Sequence, residues 1–176
     1  MKKILTALSL LLFISAGVPK FPTLKCETLN DHQVAIPEDI KGKKSVIAIA
    51  MSAKSEKALR EWNTPLYNTL IADGMGGMLG GKMYDVNVCF VGMVRGIAKL
   101  ATSEIKERTK KIVNKKLHDN FMITEQNVSD FMSALNIKNT DEPLFFVLDS
   151  DGNIIYQTSG KYSDSKLNAI TEKLIN

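Results

Sequence analysis

Cysteine, histidine and aromatic residues are scarce in this chain of 176 residues, which has two cysteines, two histidines and 7% aromatic residues. Two cysteines, Cys26 and Cys89, are too few for a disulfide scaffold or a cysteine-rich zinc module. Two histidines leave little for a histidine-based metal site, and we expect neither a metal nor another cofactor. Basic residues outnumber acidic ones by only 23 to 19, which is too small an excess to predict nucleic-acid binding.

The remaining composition is that of an ordinary globular protein, with 44% apolar and 24% charged residues. Residues 18–176 contain no internal repeat and no long polar linker, and their length suits one domain. We therefore expect a single domain over 18–176.

The N-terminus has the pattern of a bacterial signal peptide over residues 1–17. Lys2 and Lys3 precede an apolar run, 4–14, that is short for a membrane span, and small residues follow at 15–17. The alternative is a buried helix, which would show a polar face. The pattern favours export, to the periplasm or the exterior.

Hydrophobic periodicity predicts the order β-hairpin, β, α, β, α, α, β, β, α. The predicted strands are 21–29, 33–36, 45–51, 84–91, 144–148 and 153–158. The first predicted helix is capped by Ser52 or Ser55 and has an apolar stripe from Ala58 to Leu66, and the later helices are 95–119, 124–137 and 165–175. This order predicts an α/β fold in which a mixed central sheet carries helices on both faces and begins with a β-hairpin.

Several motifs resemble those of the thioredoxin fold in its exported and peroxiredoxin-like forms. They are Phe21-Pro22 before the hairpin, the Ile40-Lys41-Gly42-Lys43 turn before the first buried strand, Glu142-Pro143 before a later strand, and the turn at 149–152. The resemblance implies a three-layer α/β/α domain. It also implies that Pro143 is the family's cis-proline, which shapes the substrate groove.

The chain departs from that family where the redox Cys-x-x-Cys motif is expected, after the strand 45–51. The segment contains Ser52, Lys54, Ser55 and Lys57, with the lysines about where the thiols would lie. Without a thiolate and a resolving thiol, dithiol exchange cannot occur there. We interpret it as a degenerate redox site. It could also bind an anion or form a Ser-Lys pair, or it could be only a capped helix start.

Among cysteine-free relatives, the entry hairpin, the helix with Trp62 and Pro65 and the turn at 149–152 are similar to those of the thioredoxin-like assembly factors of mitochondrial ATP synthase. The similarity implies a non-catalytic module that acts as a chaperone or assembly protein and binds a protein partner. The alternative is a thiol oxidoreductase or peroxiredoxin-like antioxidant that uses Cys26 or Cys89. Those cysteines could instead be paired, or be two small buried residues.

Two further segments are candidate binding surfaces. The glycine-rich segment 73–81 and its flank carry Met75, Met78 and Met83, whose deformable side chains suit an adaptable contact or fold back onto the core. Residues 95–118 carry a net charge of +6, with Lys106, Lys110 and Lys111 among the basic residues. This charge favours an acidic protein or an anionic membrane surface, unless it is simply a solvated helix face.

Overall fold

The computed structural model describes residues 19–72 and 84–175, apart from the side chain of Ile97. These residues form a seven-stranded mixed sheet in the order β2-β1-β5-β4-β3-β6-β7. The strands are β1 (Leu24–Thr28), β2 (Gln33–Ile36), β3 (Ser45–Ala50), β4 (Asn87–Met93), β5 (Phe121–Thr124), β6 (Leu144–Leu148) and β7 (Ile154–Ser159). The helices are α1 (Ala53–Leu66), α2 (Thr102–Ile112), α3 (Val128–Ala134) and α4 (Asp164–Ile175).

β3 lies at the centre of the sheet, and all six of its residues are buried. It is parallel to β4 and antiparallel to β6, and β5 continues the parallel part. The β1–β2 hairpin joins β5 in antiparallel register. A continuous apolar strand of this kind is typical of a sheet that is covered on both faces. The predicted mixed α/β fold with an N-terminal hairpin is therefore confirmed.

Separate apolar clusters cover the two faces of the sheet. On one face, Trp62 of α1 packs against Phe145 of β6 with the two rings tilted by 37°, and α4 packs beside them. On the other face, Phe131 of α3 packs edge-on against Phe146 and Phe21. α2 lies on the same face as α1, where it packs on Val94 and Ile123.

The prediction of one long basic helix over 95–119 was wrong. A 3-10 segment (Gly96–Ala101) leads into the shorter α2, whose C-cap Val113 is extended. The prediction also missed β5, and it extended the next helix back to Thr124, whereas Asn127 caps α3 and Thr124 ends β5. β5 is a short strand of mostly strand-favouring residues, and it pairs with β1 on one side and β4 on the other.

Two sequence predictions fall outside the described residues: the signal peptide and the methionine-bearing segment with Met75, Met78 and Met83. In the part of the chain that is described, no helix is both long and apolar enough to cross a bilayer.

Candidate functional site

The turn after β3 brings Ser52 and Ser55 face to face at the start of α1. Ser52 is the N-cap, and its Oγ accepts a hydrogen bond from the Ser55 backbone N–H at 3.1 Å. The Ser55 Oγ in return accepts from the Ser52 N–H at 2.9 Å, which completes a capping box. The two hydroxyl oxygens lie 3.2 Å apart.

Ser55 is fully buried, and its Oγ also accepts the backbone N–H of Met51 at 2.9 Å. Lys54 pairs with the Asp141 carboxylate at 3.1 Å, and Lys57 is exposed. The two lysines therefore make no contact with each other that the structure shows. Ser52 and Ser55 have the spacing of a Cys-x-x-Cys pair and face each other at the helix start, which makes them the better candidates for the two thiol positions.

The loop before Pro143 lies beside this turn, as the sequence predicted. Ser52 Oγ donates to the Thr140 carbonyl at 2.9 Å, and the Asn139 side chain accepts the Asp141 N–H at 2.8 Å. The predicted cis bond at Glu142–Pro143 was wrong, since the cis peptide bond of the described chain is Ile36–Pro37. With the loop held by these contacts, the bond before Pro143 keeps the trans form that X–Pro amides favour.

Both cysteines are buried as free thiols in one apolar cluster. Burial raises the pKa of Cys89 to about 12. Burial, and secondarily the neighbouring Cys89, raises the pKa of Cys26 to about 12 as well. Because the thiolate is the reactive form, neither residue has the environment of a nucleophile.

The structure corrects the assignment of Lys106 and Lys110 as cations that meet a partner. Lys106 is only 8% exposed; it bonds the Glu27 carboxylate and lies 2.5 Å from that of Asp31. Lys110 pairs with Asp31 and Glu107, each at 3.2 Å. These charges are balanced within the chain, because α2 packs directly over the hairpin. Lys111, by contrast, is exposed, and no ion pair with another described residue involves it.

The ion pairs shift the pKa values of their members. Hydrogen bonds from Lys106 lower the pKa of the Glu27 carboxyl, and bonds from Lys106 and Lys110 lower that of Asp31. Burial of Lys106 favours its neutral form, but the bonds to Asp31 and Glu27 outweigh burial and raise its pKa. The network therefore anchors α2 to the β1–β2 hairpin.

A groove of about 770 Å³ separates α1 from α2 on their common face of the sheet. Leu59 and Asn63 of α1 form one wall, Ile105 and Ile112 of α2 form the other, and Gly92 lies in the floor. This volume is within the usual range of ligand pockets, about 300–1,000 Å³. We call it the α1–α2 groove.

Sequence reasoning did not single out the groove. The glycine that interrupts the apolar strand β4 was the available signal, because a strand glycine often marks the close approach of another backbone. Among the described residues, no group of histidine, cysteine and carboxylate side chains is placed to hold a metal.

The fold is shared with solved thioredoxin-like proteins. StoA from Bacillus subtilis matches with a TM-score of 0.55 and 17% identity, over 87% of this chain and 98% of its own. The exposed lipoprotein thioredoxin Etrx1 from Streptococcus pneumoniae matches with a TM-score of 0.55 and 14% identity, over 85% of this chain and 98% of its own. A thiol:disulfide interchange protein from Chlorobium tepidum matches with a TM-score of 0.54 and 14% identity, over 92% of this chain and 99% of its own.

A search of curated proteins found no match. The family model of the ATP10 protein matches residues 13–174, which is nearly the whole chain. This match supports the similarity to ATP-synthase assembly factors, and it spans every strand and helix around the Ser52–Ser55 turn and the groove. The chain therefore belongs to the ATP10 protein family, on a thioredoxin-like fold.

Proposed function

We propose that this protein is an exported, redox-inactive thioredoxin-like module that binds a polypeptide partner during the assembly of ATP synthase. The family match supports the assembly role. The apolar run between Lys3 and the small residues at 15–17 supports export.

The hydroxyl pair at the start of α1 carries this proposal. In a thioredoxin-like oxidoreductase, this turn holds the attacking and the resolving thiol. Here the Ser52 and Ser55 hydroxyls form hydrogen bonds with each other, with the backbone of residues 51, 52 and 55, and with the Thr140 carbonyl. The turn thus retains its structural role at the helix start without a redox group.

A redox assay separates this proposal from the alternative of a thiol oxidoreductase or peroxiredoxin-like antioxidant. We expect the full chain to reduce insulin disulfides and turn over hydrogen peroxide no faster than background. The variants Cys26→Ser and Cys89→Ser should behave in the same way. Turnover that Cys89→Ser or Cys26→Ser abolishes would make the protein an enzyme.

The assembly role is tested in cells that lack the gene. Native gels should show less assembled ATP synthase, and expression of the full chain should restore it. Because neither cysteine is needed, the Cys26→Ser/Cys89→Ser double variant should restore it equally well. Normal ATP synthase in the deletion strain would contradict the assembly role.

For the binding surface, we propose Met75, Met78 and Met83 together with the exposed Lys111. The methionines would supply a deformable apolar contact, and Lys111 would attract an acidic partner or one at an anionic membrane surface. Lys111→Glu should slow association and weaken its dependence on salt. The matched control Lys138→Glu changes an exposed lysine in the loop after α3, on the opposite face of the sheet, and should have no such effect.

A serine triple variant tests the methionines. If all three methionines contact the partner, replacing Met75, Met78 and Met83 with serine should weaken partner binding. The free energy of unfolding should change by less than about 1 kcal/mol, as is usual for surface substitutions. A loss of several kcal/mol would show instead that these methionines belong to the core.

A further inference from the structure

The floor of the α1–α2 groove is low because β4 carries a glycine there. Side chains of β4 alternate between the faces, and Phe90 and Val94 on either side of Gly92 cover the sheet on the groove side. A Cβ at Gly92 would meet only the Met122 carbonyl oxygen, at 3.9 Å, which is an ordinary contact. Neither crowding nor backbone conformation therefore requires glycine. Its effect is to leave open a place where another chain can approach the sheet.

The α1 wall of the groove contains an unsatisfied hydrogen-bond acceptor. The Oδ1 atom of Asn63 is buried and, within the described residues, has no hydrogen-bond partner. Buried acceptors are normally paired, and a rotation of this side chain toward the groove would let an occupant supply the missing donor. A hydrocarbon chain has none, whereas a polypeptide has its backbone N–H groups. The unpaired oxygen therefore favours a polypeptide over a fatty acid.

The groove also presents one positive charge that the described chain leaves without a counter-ion. Arg60 at the groove is paired with Glu56 at 2.7 Å. Arg95 is exposed at the end of β4, and its recorded contact is a hydrogen bond of 3.4 Å to the hydroxyl of Thr140. A guanidinium of this kind is complementary to a carboxylate. On the α2 side, Ile112 lines the groove with 69% of its surface exposed, which extends the apolar contact area.

We propose that the α1–α2 groove is the docking site for the partner polypeptide, and that it takes a short apolar segment with one acidic side chain. The apolar side chains lie over Gly92 between α1 and α2, a backbone N–H donates to Asn63, and the carboxylate pairs with Arg95. This assignment rests on the proposed function, and it adds a groove on the described fold to the surface proposed above for the methionines and Lys111.

A displayed library of random peptides, selected on the immobilised full chain, tests the assignment. We expect the enriched peptides to be apolar with one aspartate or glutamate. Fluorescence anisotropy then measures how tightly one such peptide binds to a set of variants. A second peptide, in which asparagine or glutamine replaces the aspartate or glutamate, is measured in parallel. Gly92→Ile fills the floor and should abolish measurable binding, while Gly92→Ala should weaken binding only slightly. Because a Cβ at Gly92 meets no close neighbour, Gly92→Ala should melt no lower than the parent chain, and a melting curve of Gly92→Ile checks that this variant is folded.

Arginine variants test the charge. Arg95→Gln should weaken binding about tenfold, as expected for the loss of one hydrogen bond to a charged group. The matched control Arg108→Gln removes an exposed guanidinium of α2 that lies outside the groove and should change nothing. The amide form of the peptide should lose the same factor on the parent chain and nothing further on Arg95→Gln, as a double-mutant cycle requires.

Three results of the binding experiments would overturn the proposal. They are a selection that yields no apolar acidic peptides, a folded Gly92→Ile variant that binds as the parent does, and displacement of the peptide by palmitate at equal affinity. The last result would make the groove a lipid site. If Gly92→Ile restores ATP synthase in the deletion strain as well as the parent chain does, the groove assignment fails while the assembly role stands.

Discussion

Replacing Ser52 and Ser55 together with cysteine should give this chain a pair that forms a disulfide. The two hydroxyl oxygens are 3.2 Å apart, and a disulfide needs its sulfurs at about 2.0 Å, so closure requires a movement of about 1 Å. The first thiol would lie at the N-cap, beside the free N–H groups of α1. There the thiolate is stabilised, and its pKa should fall below the usual value of about 8.5.

The hydrogen bonds of the turn set the expected change in stability. Loss of the serine N-cap costs about 1 kcal/mol. Sulfur is a weak acceptor, so the N–H groups of Met51 and Ser52 that now bond Ser55 would lose about 1 kcal/mol each. The reduced variant should therefore be about 3 kcal/mol less stable than the parent. Closing a loop of about four residues with a disulfide restores about 2 kcal/mol.

Urea unfolding of the oxidised and reduced forms, with thiol titration of each, measures these differences. The matched control carries cysteine at Lys54 and Lys57, the positions that the sequence alone suggested. It should oxidise less readily, because Lys54 points toward Asp141 and Lys57 toward solvent. If the control pair oxidises as readily as the serine-derived pair, the assignment of the thiol positions to Ser52 and Ser55 is wrong.

Further predictions concern the buried thiols and the buried lysine. Cys26 and Cys89 should resist alkylation in the native chain, and reaction of both at neutral pH would contradict their burial. The free energy of unfolding should decrease as pH rises from 9.0 toward about 12, because the thiols ionise at a lower pH in the unfolded chain than in the folded one. Lys106→Met should lower the free energy of unfolding in urea by about 1–2 kcal/mol, which is less than the loss of one partner from a fully buried ion pair, because the carboxylates here are partly hydrated. The control Lys111→Met should lower it by under about 0.5 kcal/mol. Lys106 lowers the pKa of the Glu27 and Asp31 carboxyls, so the stability lost in Lys106→Met should be greatest above their ordinary pKa values of 4.5 and 3.8 and should shrink as pH falls through the lowered values. A loss that persists in acid would mean that Lys106 acts by packing alone.

The sequence predicted those parts of the fold that local pattern determines. The run at 45–51 is apolar at nearly every position, and only a strand buried on both faces fits it, as β3 shows. β5 was missed because its four residues form a strand through pairing with β1 and β4, which lie far away in sequence. The predicted basic helix was too long because its apolar stripe, which continues past Ile112, does not reveal that the backbone becomes extended at Val113.

The candidate site was predicted in position but not in detail. The sequence places a thiol-free turn after β3, yet Ser52 and Ser55 are both good helix caps, and the choice between them depends on contacts with Met51 and Thr140. The roles of Lys106 and Lys110 depend on carboxylates of the hairpin, more than seventy residues earlier. Composition shows the charge of such residues but not its partners.

The ion pairs on α2 also bear on the groove. Few apolar residues hold this helix to the sheet: Ile105 and Val113 pack on Leu29, Val94 and Ile123. Its other attachment is the bridge from Lys106 and Lys110 to Glu27 and Asp31 of the hairpin. The hairpin therefore helps to fix the position of α2, which forms one wall of the α1–α2 groove. Within the basic segment, Lys106 and Lys110 thus support the wall of an apolar surface whose unpaired charge is Arg95, while the exposed Lys111 stays available to an acidic partner.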